Sequence, residues 1–238
     1  MTHPPALIIV PTFNERENLP PLLAQIFDVV PTVHVLVVDD NSPDGTGAVA
    51  DEIADADERV HVLHRTNKEG LGRAYIAGFK WALERDYVLI FEMDADFSHE
   101  PTRLPEFIKA ARDADLILGS RWVSGGGTEN WPLRRQIMSR GGSLYAGTVL
   151  GLGARVRDLT GGFKCFHRRV LEAIELDDIQ AVGYGFQVEL TWRAIRKGFK
   201  VVEIPIHFAD RRAGDSKMTT RIFVEALMLV WKLRLGQR

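Results

Sequence analysis

Two aspartates spaced two residues apart, Asp94 and Asp96, are the side chains of this sequence best suited to chemistry. They follow the apolar run at 87–91, which is typical of a buried strand. Because residues two apart in an extended chain point the same way, both carboxylates are expected on one face. Mg²⁺ binds one or two carboxylates and completes its shell with phosphate and water oxygens. The pattern predicts a metal-nucleotide site with Ser98 as a further ligand; the alternative is a strand end at which Asp96 or Ser98 caps a helix.

A second group of polar residues follows the first two apolar runs of the chain. Phe13 and Glu15 come shortly after the first run, and Asp39 and Asp40 come directly after the second. A carboxylate at the end of such a strand can accept hydrogen bonds from a ribose, as in dinucleotide-binding folds. We assign that role to Asp39 and interpret Asp40 as a turn residue, a position that aspartate favours.

Cations that could bind phosphate lie in the second half of the chain. Residues 28–115 carry 19 acidic and 9 basic side chains, whereas residues 116–170 carry 9 basic and 2 acidic ones. An acidic front half suits a metal ion, and a basic rear half suits phosphates or an anionic surface. The candidates are Arg121, Arg134, Arg135, Arg140, Arg211 and Lys217. Arginine suits bidentate phosphate contacts, although Arg134 or Arg135 taken singly is expected only to solvate the surface.

The overall composition sets broad limits. With 238 residues, 45% of them apolar, the chain can bury a sizeable core, and its net charge of −2 indicates no nucleic-acid partner. Cys165 is the only cysteine, so an internal disulfide is excluded and a reducing compartment is favoured. No segment reaches the ~20 apolar residues that span a bilayer, and no signal peptide is recognisable. We expect a cytoplasmic protein that is soluble or at most peripheral to a membrane.

Strand-like and helix-like segments alternate over the first 120 residues. This order predicts an α/β fold with a doubly wound, mostly parallel sheet flanked by helices, in which ligands bind beyond the carboxyl ends of the strands. Strands are predicted at 6–10, 33–38, 60–63, 87–91, 116–118 and 201–204. Helices are predicted at 18–30, 46–56, 73–85, 105–113, 132–150, 187–197 and 219–235.

The C-terminal residues 219–238 are expected to form an amphipathic helix rather than a separate domain. The helix is apolar around much of its circumference but carries Arg221, Lys232 and Arg234. Two roles stay open. It could lie in a membrane interface with its cations at headgroup level, or it could pack on the core or on another protomer.

A resemblance to a known family covers the chain from about residue 6 to residue 218. Nine stretches occur in the family's order: "VPTFNERENLP", "VLVVDDNSPDGTG", "GLGRAYIAGF", "MDADFSHEP", "GSRWVSGGG", "SRGG", "DLTGGFKCF", "GYGFQVELTWRA" and "DRRAGDSKM". Together they resemble the dolichol-phosphate (polyprenol-phosphate) mannosyltransferases, a branch of the family 2 glycosyltransferases with a GT-A fold. The resemblance implies that residues 1–218 form one GT-A catalytic domain.

The resemblance also implies a role for each matching position. Contacts to a GDP-mannose donor fall on Pro11, Phe13, Glu15, Val37, Asp39, Asp94, Ala95, Asp96, Arg121, Arg211 and Lys217. Of these, the catalytic residues would be Asp96, Arg121, Arg211 and Lys217, and the ligands of Mg²⁺ or Mn²⁺ would be Asp96 and Ser98. Residues near an acceptor phosphate would be Arg134, Ser139 and Arg140. Glu189 is a weaker candidate for a general base.

The implied reaction transfers mannose from GDP-mannose to a polyprenyl monophosphate, with inversion, at the inner face of the cytoplasmic membrane. Other interpretations of the residues stay open: UDP-glucose as donor, a soluble glycan acceptor, a phosphatase of the haloacid dehalogenase type, or a non-catalytic nucleotide-binding module. In such a phosphatase the aspartate pair follows the first strand, whereas here it follows about the fourth. The oligomeric state also stays open.

Overall fold

The computed structural model describes residues 5–152, 155–179, 181, 184–209 and 220–236. Its strands in chain order are β1 (Ala6–Thr12), β2 (His34–Asp39), β3 (Val60–His64), β4 (Leu89–Glu92), β5 (Leu116–Ser120), β6 (Gly127–Thr128), β7 (Lys164–His167), β8 (Val201–Pro205) and β9 (His207–Phe208). Seven of them form one sheet in the order β3-β2-β1-β4-β7-β5-β8, and β6 pairs with β9 in a separate two-stranded sheet.

Helices connect these strands. They are α1 (Leu19–Val29), α2 (Thr46–Ala56), α3 (Leu71–Leu83), α4 (Leu104–Ala110), α5 (Leu133–Val149), α6 (Arg168–Ala173), α7 (Tyr184–Arg196) and α8 (Thr220–Leu235), with short 3₁₀ turns at Pro101–Arg103 and Leu176–Asp178. All seven predicted helices are present, with bounds that differ from the prediction by a few residues at most. The short α6 was not predicted, because six residues are too few to show a helical period.

The large sheet is parallel except at β7, which runs antiparallel to both β4 and β5. The predicted mostly parallel α/β sheet is therefore confirmed. The strand β7 was not predicted, because its four residues begin with Lys164 and end with His167 and so show no apolar run. Because β4 and β5 point the same way, the carboxyl ends of the parallel strands share one edge of the sheet.

Both faces of the sheet are covered, which explains why its strands are apolar without alternation. In β1, Leu7 and Ile9 belong to one buried cluster, whereas Ile8 and Val10 belong to the other. The first cluster includes residues of α3, α5, α6, α7 and α8, and the second includes residues of α1, α2 and α4. Each fully buried aliphatic side chain of this kind contributes about 1.5–3 kcal/mol.

One glycine in α3 allows the helix to lie close against the sheet. A Cβ at Gly78 would come within 2.7 Å of Cγ2 of Ile9 in β1. Any larger side chain would push α3 away from the strand whose end carries part of the candidate site. The close approach thus accounts for the glycine in "AYIAGF".

The C-terminal α8 packs against α5 and α7. Val230 and Leu233 are buried in the core, and the Tyr145 hydroxyl on α5 donates to the Leu227 carbonyl at 3.3 Å. Core packing, one of the two roles left open, therefore holds for one side of the helix, while Trp231 on another side is 51% exposed. Within the described ranges, we find no helix with the length and apolarity needed to cross a bilayer.

Candidate active site

Three polar segments meet at the carboxyl ends of β1, β2 and β4, which are neighbours in the sheet. Thr12 lies opposite Asp39 in the β1–β2 register, and its Oγ1 donates to Oδ1 of Asp39 at 3.0 Å. The Met93 N–H donates to the Ile9 carbonyl at 3.1 Å and so carries the β1–β4 pairing one residue beyond β4. Asp94 follows directly. The predicted clustering at this edge is confirmed.

The turn after β2 is held by Asp39. Its carboxylate is buried and accepts hydrogen bonds from the backbone N–H of Ser42 at 3.1 Å and from the Ser42 hydroxyl. Asp40, which we had interpreted as the turn residue, instead forms an ion pair with Arg65, and Arg65 also binds Glu69. Burial raises the pKa of Asp40 above its ordinary value, although Arg65 opposes this shift. The turn interpretation of Asp40 was therefore wrong, because Arg65 lies within reach just after β3.

Phe13 and Glu15 lie in the loop between β1 and α1. The Glu15 carboxylate accepts a hydrogen bond from the Asn18 side chain at 2.8 Å. The ammonium of Lys68 lies 3.4 Å from the centroid of the Phe13 ring, a favourable contact of a cation with an aromatic face. An aromatic face beside a cation suits a planar, electron-rich base.

Two other predicted donor contacts lie within the strands themselves. Pro11 is half-buried near the end of β1. Val37 is wholly buried, and its side chain belongs to the core on the α1 side of the sheet. A ligand at the sheet edge could therefore meet Val37 only through its backbone.

The geometry around Asp94 differs from the expected strand alternation. β4 ends at Glu92, and the chain bends at residues 95–97, where Phe97 has φ of 62°. The Asp94 carboxylate accepts a hydrogen bond from the Tyr75 hydroxyl at 3.1 Å, and its N–H donates to Nδ1 of His99 at 3.0 Å. Because the strand stops short, the directions of the two carboxylates are set by these contacts and the bend, not by a pleat.

Asp96 and Ser98 form the predicted metal-binding part of the site. Oδ1 of Asp96 accepts the Ser98 N–H at 3.1 Å. Ser98 is wholly buried, and its hydroxyl has no hydrogen-bond partner among the described residues. Burying a hydroxyl without a hydrogen-bond partner costs free energy. A cation bound beside Asp96 would give the Ser98 hydroxyl such a partner.

The donor set restricts the kind of metal that fits. In the described ranges, no three histidine, cysteine, aspartate or glutamate side chains cluster as a metal cage would require. Mg²⁺ and Mn²⁺ do not need such a cage, because phosphate and water oxygens complete their shells. Asp96 and Ser98 therefore fit a hard divalent cation that is bound together with a nucleotide phosphate.

A buried glutamate and a buried lysine lie on neighbouring strands just before Asp94. Glu92 of β4 is opposite Lys164 of β7, and both are wholly buried. The Lys164 ammonium donates to the Gln187 carbonyl at 2.7 Å and to Oγ1 of Thr191 at 3.1 Å. Burial raises the pKa of Glu92 to about 8 against the opposing charge of Lys164, and burial lowers the pKa of Lys164 to about 8. The signal that we overlooked is a charged residue within each of two buried strands.

Arg121 directly follows β5 and is engaged by the chain itself. Its side chain is 3% exposed, and its Nε and Nη2 each donate to the Asp158 carboxylate at 2.7 Å. Nη2 also donates to Oγ1 of Thr160 at 2.9 Å. Burial alone would raise the pKa of Asp158, but the charge and hydrogen bonds of Arg121 bring it below the ordinary value. Asp158 and Thr160 are site residues that the sequence analysis did not single out.

Aromatic rings and a glycine enclose the same arginine. The Arg121 guanidinium carbon lies 5.4 Å from the ring centroids of Trp122 and Trp131 and 5.5 Å from that of Phe208. A Cβ at Gly126 would come within 2.4 Å of the Ser120 carbonyl. Glycine is thus required at position 126 for close packing of the chain beside Arg121.

Ser143 connects α5 to this cluster. Its hydroxyl lies 3.3 Å from Oγ1 of Thr160, the group that accepts a hydrogen bond from Arg121. Ser139 lies one turn earlier on α5 and Arg135 lies two turns earlier, so these three residues share one side of the helix. That side is the one nearest Thr160.

The structure places Arg134 apart from the other two residues predicted near an acceptor phosphate. An α-helix turns about 100° per residue, so that around the helix axis Ser139 lies about 40°, Arg140 about 60° and Arg134 about 180° from Ser143. Both arginines are exposed. Arg135 lies about 40° around the axis from Ser139, and its guanidinium lies 3.7 Å over the Trp131 ring.

Four other predicted site residues remain: Glu189, Arg211, Lys217 and Ala95. Glu189 is buried and forms an ion pair with Arg193 at 2.8 Å, so its carboxylate is engaged and not open to a substrate. Arg211 and Lys217 lie outside the described residues. Ala95 is buried, with 3% of its surface exposed.

Comparison with known proteins identifies relatives along nearly the whole chain. The chain is 51% identical over 232 residues to the polyprenol monophosphomannose synthase of Mycolicibacterium smegmatis, covering 96% of this chain and 87% of that protein. It is also 51% identical over 232 residues to the undecaprenyl-phosphate mannosyltransferase of Micrococcus luteus, covering 98% and 95%.

Solved structures with the same fold share little sequence. Glucosyl-3-phosphoglycerate synthase from Mycobacterium tuberculosis, in complex with Mn²⁺, UDP and glucosyl-3-phosphoglycerate, superposes with a TM-score of 0.69 at 16% identity, covering 99% of this chain and 81% of that one. The mannosyltransferase PcManGT from Pyrobaculum calidifontis, in complex with GDP-mannose and Mn²⁺, gives 0.60 at 17% identity, covering 100% and 72%. These likenesses show the fold, which is that of GT-A glycosyltransferases.

The sequence matches glycosyl transferase family 2 over residues 7–175. That range contains β1 to β7 and with them the sheet edge that carries Asp39, Asp94 and Asp96. Together with the two relatives of 51% identity, this match establishes that the chain is a glycosyltransferase and belongs to glycosyl transferase family 2.

Proposed function

We propose that this enzyme transfers mannose from GDP-mannose to a polyprenyl monophosphate with inversion, at the inner face of the cytoplasmic membrane. An oxygen of the acceptor phosphate forms a bond to the anomeric carbon while the bond from that carbon to the GDP oxygen breaks. GDP leaves as the anion, and the product is a polyprenyl β-mannosyl phosphate. The observation that carries the proposal is the 51% identity, over nearly the full chain, to two enzymes named for this kind of transfer.

The donor half of the proposal is supported by the edge of the sheet. Phe13 offers a face for the base, Asp39 offers carboxylate oxygens near the ribose, and Asp96 with Ser98 suits a divalent cation. Bound there, Mg²⁺ or Mn²⁺ would offset the negative charge that develops on the departing diphosphate. Arg211 and Lys217, carried over from the family resemblance, are proposed to assist.

The acceptor half needs no strong general base. A phosphate monoester loses its second proton near pH 6 and is already an anion at neutral pH. The acceptor must therefore be positioned, and its repulsion from the donor phosphates must be offset. We assign that task to Arg121, Ser139 and Arg140, and we add Arg135 because it shares the side of α5 on which Ser139 lies.

A lipid acceptor also requires an apolar approach. Among the described residues, six of the seven large hydrophobic side chains that are exposed lie on α5 and α8: Leu133, Ile137, Leu144, Met228, Trp231 and Leu235. Four exposed cations accompany them on the same helices: Arg134, Arg140, Lys232 and Arg234. Apolar side chains interspersed with cations suit a bilayer with anionic headgroups, which supports a peripheral position at the membrane.

Incubation with labelled donor, divalent cation and polyprenyl phosphate, followed by organic extraction, tests this function. Label from GDP-mannose should enter the organic phase, and chelation of the cation should prevent it. Label that enters only from UDP-glucose would contradict the mannose assignment. Transfer to a soluble glycan, with none to the lipid, would contradict the acceptor.

A further inference from the structure

We propose that Asp158 is a positioning residue of the transfer site, which holds Arg121 in one orientation and couples it through Thr160 to α5. Glu203 on β8 in turn holds Asp158. The inference rests on the proposed function, in which Arg121 and α5 serve the reacting phosphates. It concerns how the chain positions Arg121 and α5, and not which of these groups touch the substrate.

Asp158 binds Arg121 at three points. Its carboxylate accepts hydrogen bonds from the backbone N–H of Arg121 at 3.0 Å and from Nε and Nη2 at 2.7 Å each. Asp158 is 0% exposed. One carboxylate therefore fixes both the start and the end of the arginine side chain, and the planar guanidinium is left with a single orientation.

Glu203 fixes the position of Asp158. Its two carboxylate oxygens accept the backbone N–H groups of Arg157 at 2.8 Å and Asp158 at 2.9 Å. Glu203 lies opposite Leu118 in the β5–β8 register. The segment that carries Asp158 is thereby attached to the edge of the same sheet whose neighbouring strand leads into Arg121.

Thr160 connects Arg121 to the helix proposed to meet the acceptor. Its Oγ1 accepts a hydrogen bond from Nη2 of Arg121 at 2.9 Å and lies 3.3 Å from the Ser143 hydroxyl on α5. Ser139 lies one helical turn from Ser143. A continuous set of hydrogen bonds therefore joins β8, the arginine after β5 and the acceptor side of α5.

A contribution to the stability of the fold does not by itself explain the buried ion pair of Asp158 and Arg121. Removing two charges from water costs several kcal/mol per ion, and well-packed apolar residues often replace a buried ion pair without loss of stability. What an ion pair adds is a fixed direction for a charged group. A displacement of about 1 Å in such a group can cost on the order of 100-fold in rate.

The test compares Asp158→Asn with Asp115→Asn. Asp115 precedes the same strand at its other end, where it accepts the Lys200 N–H at 2.7 Å and pairs with Arg169. We expect Asp158→Asn to lower kcat on the order of 100-fold, with a smaller change in the KM for GDP-mannose. Asp115→Asn should keep kcat within about 2-fold of wild type while removing a comparable set of structural contacts.

A double-mutant cycle separates positioning from any direct role of Asp158. If Asp158 acts through Arg121, adding Asp158→Asn to Arg121→Ala should change kcat by less than about 2-fold, because coupled residues are not additive. Full additivity would overturn the inference, and so would wild-type kcat in Asp158→Asn. A wild-type enzyme that makes no mannosyl lipid would instead refute the proposed function.

Two further measurements test the positioning role if Asp158→Asn does not fold or if the enzyme catalyses a reaction other than the proposed one. Thr160→Ala should lower kcat, and Thr160→Ser, which keeps the hydroxyl, should restore it; equal rates in the two variants would count against the coupling. Trp122 and Trp131 lie 5.4 Å from the Arg121 guanidinium, so their fluorescence reports on its orientation without turnover. Thr160→Ala should shift that emission and Thr160→Ser should not; identical spectra would refute the positioning role.

Discussion

Glu92 on β4 and Lys164 on β7 lie directly opposite each other in an antiparallel pair, and neither exposes any of its surface. The pair lies at the centre of the seven-stranded sheet, two residues before Asp94. The Tyr75 hydroxyl, whose pKa is raised by burial and further by Asp94 and Glu92, donates to the Asp94 carboxylate. Two buried ionisable side chains thus underlie the strand end on which the candidate site is built.

Lys164→Met should destabilise the protein. The substitution removes the ammonium that donates to the Gln187 carbonyl and to Oγ1 of Thr191, and loss of a partner by buried polar groups costs about 1–3 kcal/mol. Urea unfolding should show this loss in the free energy of unfolding. Lys200→Met, at an exposed lysine next to β8, serves as the matched control with an expected change below about 0.5 kcal/mol.

The double variant Glu92→Leu/Lys164→Met sharpens this prediction. Replacing Glu92 as well removes a buried carboxyl group whose two oxygens have no hydrogen-bond partner among the described residues, so part of the stability lost in Lys164→Met should return. If the double variant is less stable than Lys164→Met, Glu92 stabilises the sheet even without Lys164.

The position of the site could be predicted because runs such as Ala6–Val10 are buried on both faces and are recognisable as strands without a partner. The polar residues after such runs must then meet at one edge of a parallel sheet. The antiparallel β7 could not be predicted, because its pairing with β4 and β5 joins Lys164 to residues far away in sequence. Non-local pairing of a four-residue strand leaves no local pattern.

Details within the site depend on contacts that spacing does not show. Adjacent arginines such as Arg134 and Arg135 differ in which side of α5 they occupy, and that side is fixed only by the packing of the helix. Asp39, and not Asp40, holds the turn after β2, because Arg65 lies beside Asp40 and pairs with it. Asp158 was overlooked because nothing in "DLTGGF" identifies its partner Arg121.

His61 should contribute a loss of stability as the pH decreases from about 7 to about 5.5. Burial first, and then His34 and Arg85, lower the pKa of His61 below its usual 6.5. The unfolded chain therefore binds a proton more readily than the folded protein, and unfolding is favoured as the pH falls through 6.5, by up to about 1.4 kcal/mol per pH unit for one proton. Urea unfolding across this range measures the slope.

His61→Gln isolates that contribution. As the pH falls, the variant should lose less stability, or gain more, than wild type does, and an unchanged slope would exclude a contribution of His61. Comparing the two proteins also cancels the contribution of Glu92, whose pKa in the folded protein is raised to about 8. Its contribution has the opposite sign: it is complete below the unfolded value of 4.5 and is lost as the pH rises towards 8.

Ser98→Ala should weaken metal binding without weakening the fold. The Ser98 hydroxyl is buried and has no hydrogen-bond partner among the described residues, so removing it costs little or slightly stabilises the protein. If the hydroxyl binds the cation, the Mn²⁺ concentration for half-maximal turnover should rise about 10-fold, by analogy with the loss of a metal-site group. Activity titrations after chelation measure this, and unchanged metal dependence would remove Ser98 from the site.

Asp96→Ala should have the larger effect at the same position. Loss of the carboxylate should abolish metal-dependent transfer, while the melting temperature stays close to wild type, because the hydrogen bond from the Ser98 N–H to Asp96 is local to one bend of the chain. Circular dichroism checks the fold, and the organic-extraction assay checks transfer. Retained turnover would exclude Asp96 as a ligand.

Ile137→Glu and Trp231→Glu should weaken binding to vesicles that contain anionic lipid. Both side chains are more than half exposed, on helices that also carry exposed cations, and a carboxylate there opposes both apolar insertion and the attraction to headgroups. Leu71→Glu is the matched control, because Leu71 is 41% exposed but lies on α3. Co-sedimentation should show reduced binding for the first two variants and wild-type binding for the control, with a further decrease at high salt. Equal losses in all three variants would mean that general surface charge, rather than α5 and α8, governs the association.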